Sequence, residues 1–414
     1  MEQIAQKARL FAEQLLAQQN PIGAELFCRA AMQDGLDPAP LRGLLARAAL
    51  EAGRGDLAVE RAREVLADQS GDADAEEAVR LSVLLPPPAD PTPPALMVIK
   101  AWGFGFWSDV DHVLGAILAA ELAGRTPIVW WGPRSLYGTG EGNAWDQFFE
   151  PVSWGTMREA VRAGLSYYPG KWSAPTLRDD TLPRFTGAGA RTHAALLIGR
   201  SEQVVVSEFH SQISLLRHWI PVRHALHGKS VEELYRQVIG RSLAPKQEIV
   251  DRVEAFASAN FRGRRVIGAH VRGTDKTKED PRLAEQTARQ HEALEAMGAT
   301  RTDTGVFLLT DSEGAVAEYR ARYGDRLILT DAVRSASTTG VHYQGTADKR
   351  RLGVEVMVDA YLAARCDGFV GLGSSNVSAM ISHLKKWAPG ACALMGRSLH
   401  ESYNWSIHVV PMQG

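Results

Sequence analysis

The stretch RRVIGAHVRGTDKTKED, residues 264–280, decides the reading of this chain. It opens as the apolar run of a buried strand and closes in a knot of charge. Side chains alternate along a strand, so Val266, Gly268, His270 and Arg272 share one face and Ile267, Ala269 and Val271 the other. His270 and Arg272 therefore point the same way at the strand's carboxyl end, where ligands sit in open α/β sheets. An arginine there can fork onto two phosphate oxygens. Taken singly, His270 reads equally as a satisfied core histidine and Arg272 as the partner of a structural carboxylate. Together, with Asp275 and Lys276 following at once, they read as a site.

Working outward, PKQEIVDRVEAFASANF before this strand has helical periodicity. After it, TGVFLLTDSEGAVAEYRARYG reads as strand then helix, DRLILTD as a strand and RLGVEVMVDAYLAARC as a helix. DGFVGLG and SSNVSAMISHLKKW form a last strand–helix pair. This is one α/β unit with its own parallel sheet. A second begins at ALMVIKAWGFGFWSDVDHVLGAILAAELAGRTPIVWW, read as strand, glycine loop, helix, strand. Residues 132–245 are loop-rich and aromatic. Two α/β lobes in tandem, over 96–245 and 246–414, predict a ligand cleft between them. LPPPADPTPP sets an extended linker over 86–95. Residues 1–85 read as helix after helix, with a faint echo between the segments at Gly23 and Gly55. That period is close to that of tetratricopeptide (TPR) hairpins, so the head is read as TPR-like, with a plain helical bundle as the alternative.

Two further pieces bear on a site. In DGFVGLGSSNVSAMI the strand ends at Gly371–Gly373, and Ser374, Ser375 and Asn376 open a helix. Free N–H groups at a helix start bind anions, and a plain N-cap serine is the alternative. In GFGFWSDVDH, Gly103 and Gly105 give a tight loop, and both glycines, with His112, are taken as substrate-facing. The loop is not GxGxxG, which argues against a dinucleotide-binding dehydrogenase. Asp359 on its helix reads in isolation as a solvated charge. The aromatics Trp130, Trp131, Tyr137 and Trp145 read either as a platform for an acceptor sugar or as core.

Bulk composition narrows the classes. In 414 residues with net charge −2, there is no broad cationic surface for nucleic acid or anionic lipid. The longest apolar runs fall short of the ~20 residues that span a bilayer. The N-terminal MEQIAQKARLFAEQLLAQQN lacks the apolar core of a signal peptide. Cys28, Cys366 and Cys392 are sparse and far apart, against a disulfide framework or a CxxC metal site. A cytoplasmic protein is the expectation.

Taken together, the motifs resemble those of the α-1,6-fucosyltransferases, the animal N-glycan core and rhizobial nodulation enzymes. The family's His-x-Arg-Arg-x-Asp-Lys stands here as His270-Val-Arg272-Gly273-Thr-Asp275-Lys276. VFLLTD, with Thr310-Asp311, matches the next strand, and LGVEVMVDAYLAARCDGFVGLGSSNVS matches the stretch with a helical Asp and a Ser-Ser-Gln/Asn turn. GFGFWSDVDHVLGAILAAELAGRTPIV resembles the acceptor-domain glycine loop. NAWDQFFEPV is similar to a rhizobial segment.

The resemblance implies a GT-B architecture of two Rossmann-like lobes and a GDP-fucose donor with no cofactor or metal. It implies that Arg272 grips the β-phosphate, that His270 and Asp359 read the guanosine, and that Ser375 and Asn376, with Ser374, bind phosphate. Lys276 would manage the acceptor proton, with Glu279 or Asp280 as the base. Gly273 departs from the animal family's second Arg, and the acceptor, glycan or protein, is not carried over. The rival readings are another nucleotide sugar on the same fold, or a non-catalytic nucleotide sensor whose TPR-like head recruits a protein partner.

Overall fold

The structure is a computed structural model that describes residues 2–85, 92–180, 194–272, 283–335 and 348–401. The head is five helices in succession: α1 (Glu2–Ala17), α2 (Pro21–Gln33), α3 (Ala39–Glu51), α4 (Gly55–Asp68) and α5 (Ala73–Ser82). Their Ala- and Leu-rich faces pack each helix on the next, and α3 also touches α1 and α5. Asn20 and Asp72 cap α2 and α5 with their side chains.

The first lobe carries β1 (Leu96–Lys100), α6 (Phe106–Leu122), β2 (Thr126–Trp130), the short α7 (Met157–Ala160), β3 (Tyr167–Tyr168), β4 (Val204–Ser207), the short α8 (Ile213–Leu216) and α9 (Val231–Ser242). Its strands form a parallel sheet in the order β2-β1-β4-β3. The second lobe carries α10 (Gln247–Asn260), β5 (Arg265–Val271), α11 (Leu283–Ala296), β6 (Thr304–Thr310), α12 (Glu313–Tyr323), β7 (Leu327–Ile328), α13 (Lys349–Arg365), β8 (Gly368–Leu372), α14 (Asn376–Leu384) and β9 (Cys392–Met395). Its parallel sheet runs β7-β6-β5-β8-β9, with β5 at the centre. Two parallel α/β lobes facing one cleft are the GT-B arrangement.

The alternation expected of β5 holds. Ile267, Ala269 and Val271 enter one apolar cluster with Val306, Leu308 and Val370, while Val266 enters another with Phe307 and Phe369. The same division in the first sheet puts Met97 and Ile99 against α6 and Leu96 and Val98 against Trp172.

The division expected at 245–246 falls in the connection between α9 and α10. That connection is stitched to the first lobe by Glu150 N–H to Ala244 O (2.8 Å) and Lys246 N–H to Phe148 O (2.9 Å). Within the expected linker, Gln203 Nε2 donates to Pro93 O at 2.9 Å, and residues 86–91 lie outside the described part. The head is not a loosely tethered module. Ile22, Leu26, Ala46 and Leu57 share one apolar cluster with Phe106 and Trp219 of the first lobe. Arg61, paired with the buried Glu25, donates to His218 O at 2.9 Å and lies over the Trp219 ring.

Between the lobes, α13 packs on an aromatic cluster of Phe106, Trp131, Tyr137, Trp145, Phe148 and Phe149, all buried. Gly353 makes this approach close: a Cβ there would overlap the ring carbons of the fully buried Phe148. Trp107 Nε1 reaches across to donate to Val356 O at 3.3 Å. Among the described residues, no helix is long and apolar enough to cross a membrane.

Gly353→Ala therefore overpacks the seam. Overpacking of this kind costs about 1–3 kcal/mol, and thermal unfolding of the variant is expected several degrees below wild type. An unchanged Tm would show that Phe148 has room to turn away.

Candidate active site

A cleft of about 170 Å³ opens between the lobes. The first lobe contributes Phe104, Gly105 and the opening residues of α6. The second contributes His270 from β5 and Arg272 just after it, Asp311 after β6, Val333 after β7, Glu355 and Asp359 from α13, and Asn376 from α14. The segments carrying these residues leave the carboxyl ends of parallel strands, where the sheet's geometry leaves a crevice.

Each group is held by identifiable neighbours. His270 is 7% exposed, its Nδ1 lies 2.7 Å from Ser378 Oγ, and its carbonyl accepts from Gln290 Nε2 at 3.0 Å. Burial, and then the nearby Arg272 charge, lower its pKa to about 4, so the ring is neutral at physiological pH. Asp359 is also 7% exposed, and its Oδ1 accepts from Thr330 Oγ1 at 2.7 Å. Burial raises its pKa to about 7, against the opposing pull of Thr330 and Arg334. The expectation of a solvated charge at Asp359 is thus corrected: α13 is covered on this face, and the acid is buried at the cleft wall. Glu355, one turn earlier, accepts from Val333 N–H at 2.9 Å and pairs with Arg351. It ties the segment after β7 to α13.

The start of α14 does not behave as a plain cap. Ser375 occupies the N-cap, is 1% exposed and makes no side-chain capping bond. Its Oγ, and Asn376 Oδ1, are buried with no hydrogen-bond partner among the described residues. Buried polar atoms are normally satisfied, and here the described residues supply no partner. Ser374 adjoins it without lining the cleft. Gly373 has a structural duty as well, since a Cβ there would lie 2.6 Å from Arg397 O.

In the first lobe, Gly103 and Gly105 both take positive φ, +90° and +123°, which glycine alone adopts easily. Gly103 N–H donates to the buried Asp109 Oδ1 at 2.5 Å, and Gly105 caps α6 and lines the cleft. His112 is placed elsewhere. It is fully buried, with Nδ1 accepting from Ser211 N–H at 3.1 Å and Nε2 3.4 Å from Ser207 O. It is held against the β4 end of the lobe and does not line the cleft, and the expectation of a substrate-facing histidine is corrected. Trp131 and Trp145, each 1% exposed, belong to the seam cluster and do not line the cleft, so they form no open sugar platform; Tyr137, 5% exposed, belongs to the cluster and also lines the cleft, and Trp130 is half-buried. Asp275, Lys276, Glu279 and Asp280 lie outside the described residues. Among the described residues no group of three or more His, Cys, Asp or Glu is placed to hold a metal ion.

The sequence reading missed Glu355, Thr330 and Ser378. For Glu355 the signal was present: Leu352, Glu355, Val356 and Asp359 follow the 3–4–7 spacing of one helix face.

No protein-family model matches the chain. Nodulation protein Z of Sinorhizobium fredii is 26% identical over 288 residues, 64% of this chain and 82% of the relative. Nodulation protein Z of Bradyrhizobium diazoefficiens is 23% identical over 305 residues, 69% of this chain and 77% of the relative. The chain is similar to nodulation protein Z over about two thirds of its length. The resemblance to the α-1,6-fucosyltransferases read from its motifs is borne out. Among solved structures, the NodZ α-1,6-fucosyltransferase soaked with GDP-fucose aligns with TM-score 0.47 and 20% identity, covering 70% of this chain and 92% of that one. A mutant of Arabidopsis thaliana FUT1 in complex with GDP aligns with TM-score 0.46 and 12% identity, covering 83% and 79%.

The Asp359 environment has a measurable consequence. Between about pH 4 and 7 the unfolded chain has released this proton and the folded chain keeps it, so stability falls as pH rises through that window. Asp359→Asn removes that slope. In urea unfolding the variant is expected to gain on wild type from pH 5 to pH 7.5; parallel pH curves would contradict the buried acid.

Proposed function

We propose that this protein is a glycosyltransferase that moves fucose from GDP-fucose to a hydroxyl of a glycan or protein acceptor. The observation that carries the reading is the convergence of His270, Arg272, Asp359 and Asn376, from three separate elements, on one interlobe cleft. The sequence relationship to nodulation protein Z supports it.

In this reading the diphosphate lies between Arg272 and the start of α14. There the guanidinium fork and free N–H groups meet the charge that grows as the sugar leaves. Asn376 lines the cleft there, and Ser375, its neighbour at the N-cap, is buried just behind it. Asp359 takes the donor edge of guanine. A guanine edge that donates hydrogen bonds favours the carboxylate over the acid, so nucleotide binding expels the Asp359 proton and tightens as pH rises through about 7. Displacement at the anomeric carbon inverts its configuration. A carboxylate at Glu279 or Asp280 removes the acceptor proton, with Lys276 and Asp275 close by in sequence, and no divalent metal is required. Ser374 supports the phosphate turn, and Gly103 and Gly105 keep the acceptor-side loop open to the sugar. The three cysteines, unbridged and well buried or half-buried, suit a reducing cytoplasm. The helical head serves a protein acceptor or an assembly partner.

The deciding experiment is calorimetric titration with GDP-fucose, GDP-mannose and a UDP-sugar, without divalent metal. GDP-fucose is expected to bind selectively; equal binding of the two GDP-sugars would leave the donor sugar open, and no binding of either would overturn the reading. Arg272→Ala is expected to lower transfer by at least a hundredfold with Tm unchanged, because it removes a charge that acts chiefly in the transition state. Turnover like wild type in that variant would remove Arg272 from the mechanism.

A further inference from the structure

One buried hydroxyl beside the cleft has no part in the site as described. Ser378 sits in the first turn of α14, is fully buried and does not line the cleft. Its Oγ accepts Leu372 N–H at 3.1 Å and lies 2.7 Å from His270 Nδ1. Gly371 permits this closeness, since a Cβ there would overlap Ser378 Oγ. A serine hydroxyl has one proton to give. Among the described residues, the acceptor within its reach is His270 Nδ1. A neutral imidazole that accepts at Nδ1 must carry its own proton on Nε2. That nitrogen lies on the ring edge away from Ser378, and His270 lines the cleft. Gln290 holds the backbone at the same residue, so both the ring and its strand end are fixed.

We infer that Ser378 is a positioning residue that holds His270 in its Nε2–H form, aimed at an oxygen acceptor of the bound nucleoside diphosphate. The inference rests on the GDP-sugar reading for the identity of that acceptor, but not for the hydrogen bond itself. Burial beside Arg272 works in the same direction, because it keeps the ring from taking a second proton. The turn between β8 and α14 then does two things at once: its start faces the cleft, and its first helical turn sets the tautomer of a residue on the neighbouring strand.

The test uses the full chain. Nitrogen-15 NMR of the histidines, with His270→Ala to assign the signal, reads the tautomer, and calorimetry with GDP reads the affinity. Wild type is expected to show His270 as the Nε2–H tautomer. Ser378→Ala is expected to give a tautomer mixture and about tenfold weaker GDP binding, the order of one hydrogen bond. In the Ser378→Ala background, His270→Ala is expected to add little further loss, because the two act as a unit. Ser378→Cys, close in size and a weaker donor, serves if the alanine variant does not fold, and it is expected to fall between. An Nδ1–H tautomer in wild type, or fully additive losses in the cycle, would overturn the positioning role. A merely structural serine would lower Tm and leave the tautomer alone. Failure of wild type to bind any guanine nucleotide would sink the GDP-sugar reading, while the NMR result still decides the Ser378–His270 bond.

Discussion

The contact of α13 with the aromatic cluster of the first lobe is the constraint on which the site depends. One helix carries Gly353 against Phe148, Val356 O against Trp107 Nε1, and Glu355 and Asp359 at the cleft wall. The lobes are therefore registered through the same element that presents the buried acid. A shift of α13 that relieved the packing at Gly353 would also move Asp359 relative to Arg272. Catalytic geometry tolerates little of this, since small misplacements cost rate steeply. The bare backbone at Gly353 lets a helix approach that closely while the ring of Phe148 fills the gap.

The groups around the cleft are each held in a state that costs the empty protein something. Asp359 is kept protonated by burial, His270 neutral, and Ser375 Oγ and Asn376 Oδ1 lack partners among the described residues. A stability optimum would avoid all of these. A ligand with acidic donors, phosphate oxygens and hydroxyls supplies the missing partners. Binding to the folded state alone then returns stability by mass action. The destabilised groups lie on three different elements that meet only in the folded chain.

Much of this was legible in the sequence, and the reasons are physical. The period-2 alternation of β5 placed His270 and Arg272 on one face because a central strand, paired on both sides, has no freedom to slip register. The helix start at 374–376 was legible because a Gly-rich strand end followed by small polar residues marks a strand-to-helix turn. Asp359 was misjudged in isolation, since nothing local says that a helix is covered on the face carrying an acid; only the lobe packing supplies that cover. His112 failed for the complementary reason. Four positions after the cleft-lining Ser108, its helical spacing suggests the cleft, but it is buried against partner groups at Ser207 and Ser211, which lie some ninety-five residues or more away in sequence. The aromatic middle was unreadable because indole and phenyl rings suit a sugar platform and a buried seam equally, and burial alone distinguishes them.

The two sides of the cleft were unequally legible, and the asymmetry follows from what each side recognises. A nucleoside diphosphate is a fixed chemical object with charge, forked oxygens and a flat base. Its pocket therefore needs an arginine, a helix start and an acid, which stand out in a sequence. The first lobe lines the cleft with Phe104, Gly105, Phe106, Trp107, Ser108 and Tyr137. These are backbone curvature and rings, whose shape matters more than their chemistry. The head reinforces that side through Arg61, which joins the buried Glu25 to the first lobe at His218 O and Trp219. A buried ion pair of this kind is weak evidence for stability, because desolvation offsets the attraction. The pair lies within the head, and what crosses the junction is Arg61's bond to His218 O and its contact with the Trp219 ring, which favour this docking geometry. The head thus serves as an extension of the first lobe.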